Sequence, residues 1–404
     1  MIGDGMADVP LRELNYLTPL EVAKSKHMDQ LASCGATGLL DPIAPGVAPG
    51  SDVANLAILG YDPHKVYTGR GVLEAVGAGI KLERGDIAFR CDFATVDDDF
   101  TIVDERAGRI REGAADLANS LNDLQLKNIP DIEVMFRQTL GFKGVLVLRG
   151  EGISPNVSTN IPIINSRIYP VRPMDDSIEA KRTAMALNEF IRRSREILES
   201  HRVNQNRKSK NEPPANALIP WGGGKTLRLQ PFRRKYRLRA ACIAAAPLIK
   251  GICKMVDMTV VDIPGATGEI DTDVMAKARD VSTLLQGHDL LYVHVGGPDE
   301  ASHDGDIPGK ISIIEKIDSM VNAILEDIDP EETCITLLAD HTTSIKLRKH
   351  TGDPTPIAIA CADMVQDEVE QFNERAVRKG GLGRIRGRRI MPLLLDLMDQ
   401  NGDL

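Results

Sequence analysis

The sequence predicts an α/β fold: a parallel-sheet domain assembled from both ends of the chain, with a smaller α+β domain inserted between them. Three observations predict it. Short β-branched runs recur through the later half, a long amphipathic helix separates two of these runs, and the middle third has a different texture. Strands alternating with helices build parallel sheets whose faces the helices cover. The simplest division places 1–66 and 227–404 in the sheet domain and 67–226 in the insertion.

In chain order, Pro49-Gly50-Ser51-Asp52-Val53-Ala54-Asn55 reads as a turn feeding a helix that runs to about Leu59, with Ser51 at its start. Ser is a favoured N-cap residue, so capping is its simplest role. Lys143 to Arg149 reads as a strand. Asp176 to Ser200 reads as a helix, with Asp176 and Glu179 at capping-box spacing and Ala184, Leu187, Ile191 and Leu198 on one face. His201 to Asn216 is polar and reads as an exposed loop. Thr259–Ile263, Leu290–Val295 and Ile335–Ala339 read as central strands buried on both faces. Ile314, Ile317, Val321, Ile324 and Ile328 mark the buried stripe of the helix between the last two.

Composition narrows the function. Of 404 residues, 42% are hydrophobic and 26% charged, ordinary for a globular chain with a large core. Net charge is −9, which argues against a partner bound through its phosphate backbone, so no nucleic acid is expected. No apolar run is long enough to span a bilayer and the start lacks a leader pattern, so no membrane is expected and the location expected is cytoplasmic. Six scattered cysteines with no CxxC pair suit reduced thiols better than a disulfide framework. Gly222-Gly223-Gly224-Lys225-Thr226 lacks the first glycine of a phosphate loop, since Ile219 stands there.

In parallel sheets, ligands bind beyond the carboxyl ends of the strands, and there the chemistry-bearing residues collect. After Val295 come Asp299 and His303, four apart and on one face if helical. After Ala339 come Asp340 and His341, then His350; near the start, Asp4 sits in a Gly-flanked turn. Each alone is weak evidence. His294, inside an apolar strand, reads as a satisfied core histidine. Jointly, these carboxylates and imidazoles are mixed oxygen and nitrogen ligands for two divalent ions, and two ions about 4 Å apart can clamp an in-line phosphoryl displacement. A Ser hydroxyl at a helix N-terminus, activated by a metal, would serve as nucleophile and anion site together.

The order Gly3-Asp4-Gly5-Met6-Ala7-Asp8, Pro49-Gly50-Ser51-Asp52-Val53-Ala54-Asn55, Asp299-Glu300-Ala301-Ser302-His303, Asp340-His341-Thr342-Thr343 and His350-Thr351-Gly352-Asp353-Pro354-Thr355-Pro356 resembles the archaeal-type cofactor-independent phosphoglycerate mutases of the alkaline phosphatase superfamily. Thr68-Gly69-Arg70-Gly71, Ala88-Phe89-Arg90-Cys91, Asp104-Glu105-Arg106-Ala107-Gly108-Arg109-Ile110 and Pro264-Gly265-Ala266-Thr267-Gly268 agree as well, so the resemblance covers nearly the whole chain. It implies an alkaline-phosphatase-like sheet domain with an inserted cap. It also implies two divalent metal ions, Mn²⁺ ahead of Mg²⁺, Co²⁺ or Zn²⁺, on Asp4, Ser51, Asp340 and His341 and on Asp299, His303 and His350. Ser51 would carry the phosphoryl group between the hydroxyls of glycerate, making the small phosphorylated substrate the partner. Arg70, Arg90 and Lys143 would hold that substrate.

Four positions depart from the family pattern. Phe142-Lys143 stands for His-Arg, Ser158-Thr159-Asn160-Ile161-Pro162-Ile163 for Ser-Asp-Thr-Asp-Pro-His, Trp221 for the Arg of Arg-Gly-Ala-Gly, and Gly296 for a Lys. These changes spare the ligands and fall on substrate-holding and proton-shuttling groups. Two alternatives therefore stand beside the mutase: a phosphatase or phosphotransferase acting on another ester with poor mutase activity, and a non-catalytic metal-binding homologue. Only Met1-Ile2-Gly3 precede Asp4, so the strand that carries it is expected to be weakly held.

Overall fold

The computed structural model describes residues 1–122, 124–226, 228–362 and 364–400. They form two compact units, 1–66 with 229–404 and 67–228. Among the described residues, no helix is long and apolar enough to cross a membrane.

The first unit is built on an eight-stranded sheet. Its order is Gly383–Arg386, Ala36–Asp41, Thr355–Ala360, Ile335–Ala339, Ile2–Gly3, Leu290–Val295, Ala240–Ile243 and Thr259–Val261. The centre is parallel, as expected, but Thr355–Ala360 runs antiparallel to both its neighbours. Ile2–Gly3 is only two residues long, yet it lies between two long strands and pairs with both, so the opening of the chain is held at the sheet's centre rather than weakly. Thr259–Val261 is shorter than expected and, with a single strand neighbour, lies half-exposed at the sheet's edge; Asp262, just past it, pairs with the Lys250 ammonium. The helix Ile307–Asp327 starts on Asp306, whose side chain accepts from the Gly309 amide. Its Ile313, Ile314, Ile317, Val321 and Ile324 share a core with Met28 and Leu31 of the helix Lys26–Ser33 and with strand residues Val293, Val295 and Leu337. Burying such side chains supplies roughly 1.5–3 kcal/mol apiece.

The second unit carries a five-stranded antiparallel sheet around Ile87–Val96, which pairs with Ile102–Asp104, Gly144–Arg149 and Ala217–Lys225, while Glu133–Gln138 pairs with Gly144–Arg149. The helix Ile178–Ser200 covers it through Leu187, Phe190 and Ile191, and Phe136 stands between Phe93 and Phe190. Ser177, not Asp176, caps this helix by accepting from the Ala180 amide. The expected loop after it contains a helix, Arg202–Ser209. That helix has almost no apolar face to betray it; it is held by His201, which caps it, and by buried Asn204, which bonds the Leu198 and Ala215 carbonyls. Gly222 to Lys225 lies in a sheet strand, so its glycines serve close pairing rather than phosphate binding.

The expectation of reduced thiols is corrected at one pair. Cys334 and Cys361 form a disulfide. Antiparallel pairing of Ile335 with Ala360 brings the flanking cysteines together, a relation their separation of 27 residues conceals.

Candidate metal centre

The three parallel central strands of the first unit end where the candidate ligands begin. Asp4 follows Ile2–Gly3, Asp340 follows Ile335–Ala339, and Asp299 lies in the helix Gly297–Asp304 just past Leu290–Val295. Gly5 makes this convergence possible. Its φ is +58°, and a Cβ there would sit 2.5 Å from Thr343 Oγ1 and 2.7 Å from Asp299 Oδ1, so only glycine fits.

Ser51 opens the helix Ser51–Ile58, but Gly50 is the capping residue. The Ser51 hydroxyl is therefore not spent on the helix and lies 3.0 Å from His341 Nε2. The same nitrogen is 3.1 Å from Asp4 Oδ1 and 3.6 Å from Asp340 Oδ2. Asn55 Nδ2 donates to both the Ser51 carbonyl and Asp340 Oδ2, at 2.7 Å each, and Tyr292 donates its hydroxyl to Asn55 Oδ1. Burial, then the neighbouring Asp340 and Asp299 carboxylates, push the Asp4 carboxyl well above its ordinary range.

A second set converges on Asp299 Oδ1, which lies 3.5 Å from His303 Nε2 and 3.3 Å from His350 Nε2. His303 Nδ1 is 2.8 Å from the Arg348 carbonyl and His350 Nδ1 is 2.8 Å from the Pro49 carbonyl. A carbonyl only accepts, so each ring carries its proton on Nδ1 and turns a lone pair on Nε2 inward. Burial opposes the Asp299 charge, but protonation of His303 and His350, which adds a second proton on the inward Nε2, would hold its carboxyl well below the usual range. The ring of His350 stacks on that of His341, centroids 3.8 Å apart.

Both groups fit divalent cations. Asp4, Asp340 and His341 offer ligand atoms within 4.8 Å of one another, and so do Asp299, His341 and His350. His303 stands beside the second group, with Nε2 3.3 Å from that of His350. Asp4 Oδ1 is buried and accepts no hydrogen bond. Lone pairs and carboxylates crowded this closely need a positive centre among them, and backbone carbonyls behind the imidazoles orient them for one.

The sequence reading passed over several contributors. His294 is buried, but it is not satisfied: its Nε2 has no hydrogen-bond partner and lies 3.5 Å from Asp4 Oδ2. Burial holds its pKa down at about 4, so the ring is neutral. Lys310 is fully buried and donates to the Ala7 carbonyl, Asp8 Oδ2 and the Thr343 carbonyl, tying the loop after Asp4 to the strand after His341. The signal available was spacing: Asn55 is one helical turn from Ser51, and Thr343 is two residues past His341, at the spacing that puts extended side chains on one side.

The three residues expected to hold substrate lie in the second unit. Arg70 and Arg90 both face the Trp221 ring, at 5.5 and 5.3 Å from its centroid. Arg90 donates from Nε to Asp92 and from Nη1 to Glu74, Arg70 donates to Glu74, and Trp221 Nε1 donates to Asp92. Burial would raise the Glu74 pKa, but Arg90 and Arg70 hold it below the usual range, with a further contribution from Lys143. Lys143 Nζ lies 5.6 Å from the Phe142 ring centroid.

A family model for 2,3-bisphosphoglycerate-independent phosphoglycerate mutase matches residues 32–204. The protein of that description from Methanothermobacter thermautotrophicus is 46% identical over 402 residues, covering 99% of this chain and 97% of its own. Among solved structures, a Pyrococcus horikoshii protein matches with a TM-score of 0.82 at 34% identity, covering 98% of this chain and 96% of the other. The cofactor-independent phosphoglycerate mutase of Thermoplasma acidophilum matches with a TM-score of 0.61 at 29% identity, covering 98% of each.

Proposed function

Because the chain belongs to the 2,3-bisphosphoglycerate-independent phosphoglycerate mutase family, we propose that it interconverts 3-phosphoglycerate and 2-phosphoglycerate through a phosphoserine at Ser51. Asp4, Ser51, Asp340 and His341 would hold one divalent ion and Asp299, His303 and His350 the other, with Mn²⁺ ahead of Mg²⁺, Co²⁺ and Zn²⁺. Bound there, such ions neutralise phosphoryl oxygens and favour the ionised serine. The observation that carries the reading is Ser51 Oγ at 3.0 Å from His341 Nε2, with Asp4 Oδ1 3.1 Å from that nitrogen.

The chain's own residues supply the remaining steps. Ser51 Oγ forms the bond to phosphorus as the glycerate–phosphorus bond breaks, and the first amides of its helix favour the anion. The proton given up by Ser51 ends on the released glycerate oxygen; in the return step the other glycerate oxygen bonds to phosphorus as the serine–phosphorus bond breaks, and its proton restores the Ser51 hydroxyl. Arg70, Arg90 and Lys143, which cluster around Glu74 and Asp92, would hold the acid group of glycerate.

A second reading rests on the segment Ser158–Ile163, which has no carboxylate or imidazole to move the glycerate proton and exposes Ile161 and Ile163. Water would then take the phosphoryl group, making the chain a phosphatase. With 3-phosphoglycerate and Mn²⁺, phosphorus NMR separates the two readings. Accumulating 2-phosphoglycerate without free phosphate is the expected result; phosphate alone supports the phosphatase. Neither product from a chain that binds Mn²⁺, with no label trapped on Ser51, would overturn both.

A further inference from the structure

Thr343 lies in the short strand Thr342–Ser344, fully buried. Its backbone is fixed at both ends: the amide donates to the Ala7 carbonyl at 3.1 Å, and the carbonyl accepts from Lys310 Nζ at 3.0 Å. Its hydroxyl oxygen is 2.7 Å from Asp299 Oδ1 and 3.0 Å from His341 Nδ1. In the ligand sets proposed above, Asp299 would serve one ion and His341 the other, although His341 also stands within reach of Asp299 and His350.

A hydroxyl owns one proton and an ionised carboxylate owns none to give. The contact to Asp299 therefore consumes the Thr343 proton. The contact to His341 can then be made in one sense only, with Nδ1–H donating to Thr343 Oγ1. The opposite arrangement, a bare Nδ1 accepting from Thr343, would leave two oxygens 2.7 Å apart with no proton between them.

We propose that Thr343 is a positioning residue that joins the two ligand groups into one network: Asp299 orients its hydroxyl, and the hydroxyl holds His341 as the Nδ1–H tautomer. His341 Nε2 is thereby kept bare toward Ser51 Oγ and Asp4. Before an ion arrives, this bare nitrogen accepts a hydrogen bond from the Ser51 hydroxyl; once an ion is bound, it would be a ligand atom already in the right form. The importance of this link rests on the metal-dependent serine mechanism proposed above, whereas the tautomer itself does not.

The test uses the full-length protein labelled with ¹⁵N-histidine and stripped of metal by chelator. Long-range ¹H–¹⁵N correlation reads the tautomer of each ring, with His341 assigned by its loss in His341→Asn. The expected result is an Nδ1–H ring in the wild type, a mixture or the Nε2–H ring in Thr343→Val, and recovery in Thr343→Ser. Mn²⁺ titration followed by electron paramagnetic resonance should show affinity about 10–100-fold weaker in Thr343→Val, restored in Thr343→Ser. An Nε2–H ring in the wild type, readable even if the valine variant fails to fold, would overturn the proposal. So would a Thr343→Val protein with unchanged tautomer. If the wild type binds no Mn²⁺, the metal reading falls, and the tautomer still decides the case for Thr343.

Discussion

His303 Nε2 and His350 Nε2 face each other at 3.3 Å, each ring having its other nitrogen on a backbone carbonyl. Neither ring can turn its proton inward without abandoning that carbonyl. His350→Ala removes one of the opposed lone pairs and is expected to lower bound Mn²⁺ from two equivalents to one, while the metal-free protein unfolds no earlier than the wild type. Metal analysis after dialysis and thermal melts in chelator check both halves.

Asp4 is a carboxylate forced into a buried place beside two others. Its raised pKa means that the metal-free protein loses stability as pH rises past the ordinary carboxylate range, because the folded chain must then bury a charge. Asp4→Asn keeps the shape and removes the charge. In chelator at pH 7, the variant should be more stable than wild type by about 1 kcal/mol; with Mn²⁺ present the order should reverse. Urea unfolding with and without metal reads the crossover.

Arg90 bridges two buried carboxylates in the second unit. Arg90→Ala would leave Glu74 and Asp92 short of their cation, at a cost of about 3–5 kcal/mol. Arg90→Lys should recover part of that stability but not the two-sided geometry, since an ammonium cannot copy the fork. Denaturant midpoints of the three proteins give the order wild type, Lys, Ala.

Lys277 is buried and donates to the His294 carbonyl, and burial lowers its pKa from 10.5 to about 8. Between those values the unfolded chain binds the proton and the folded chain does not, so this residue's contribution to stability rises with pH. The burial penalty is fully present below pH 8 and gone above 10.5. At ~1.4 kcal/mol per pKa unit, wild type should gain roughly 3 kcal/mol on Lys277→Met across that window. Paired urea titrations at pH 7.5 and 10.5 test the sign; a flat difference would refute it.

The clustering of Asp4, Asp299, Asp340 and His341 was legible in the sequence because these residues follow strand ends, where short apolar runs announce themselves. The strands 290–295 and 335–339 and the helix ending at Asp327 were legible for the same reason. What stayed hidden depends on partners far along the chain. His294 looked like core because it lies in an apolar strand; only the pairing of Ile2 with His294 brings Asp4 near its Nε2. The disulfide is likewise a product of strand register. Arg202–Ser209 escaped notice because its helix is stabilised by caps and one buried asparagine rather than by an apolar stripe.

The two-residue strand Ile2–Gly3 sets a timetable for the whole molecule. The Gly5 amide reaches Asp340 across 335 residues of sequence, and contacts so distant form late, because chain entropy must be surrendered before they return anything. During synthesis at ~5–20 residues per second, Asp4 waits tens of seconds for its companions to leave the ribosome. The cluster around Asp4 is thus completed late in folding and does not seed it, and a stalled nascent chain leaves Asp4 without Asp340 beside it.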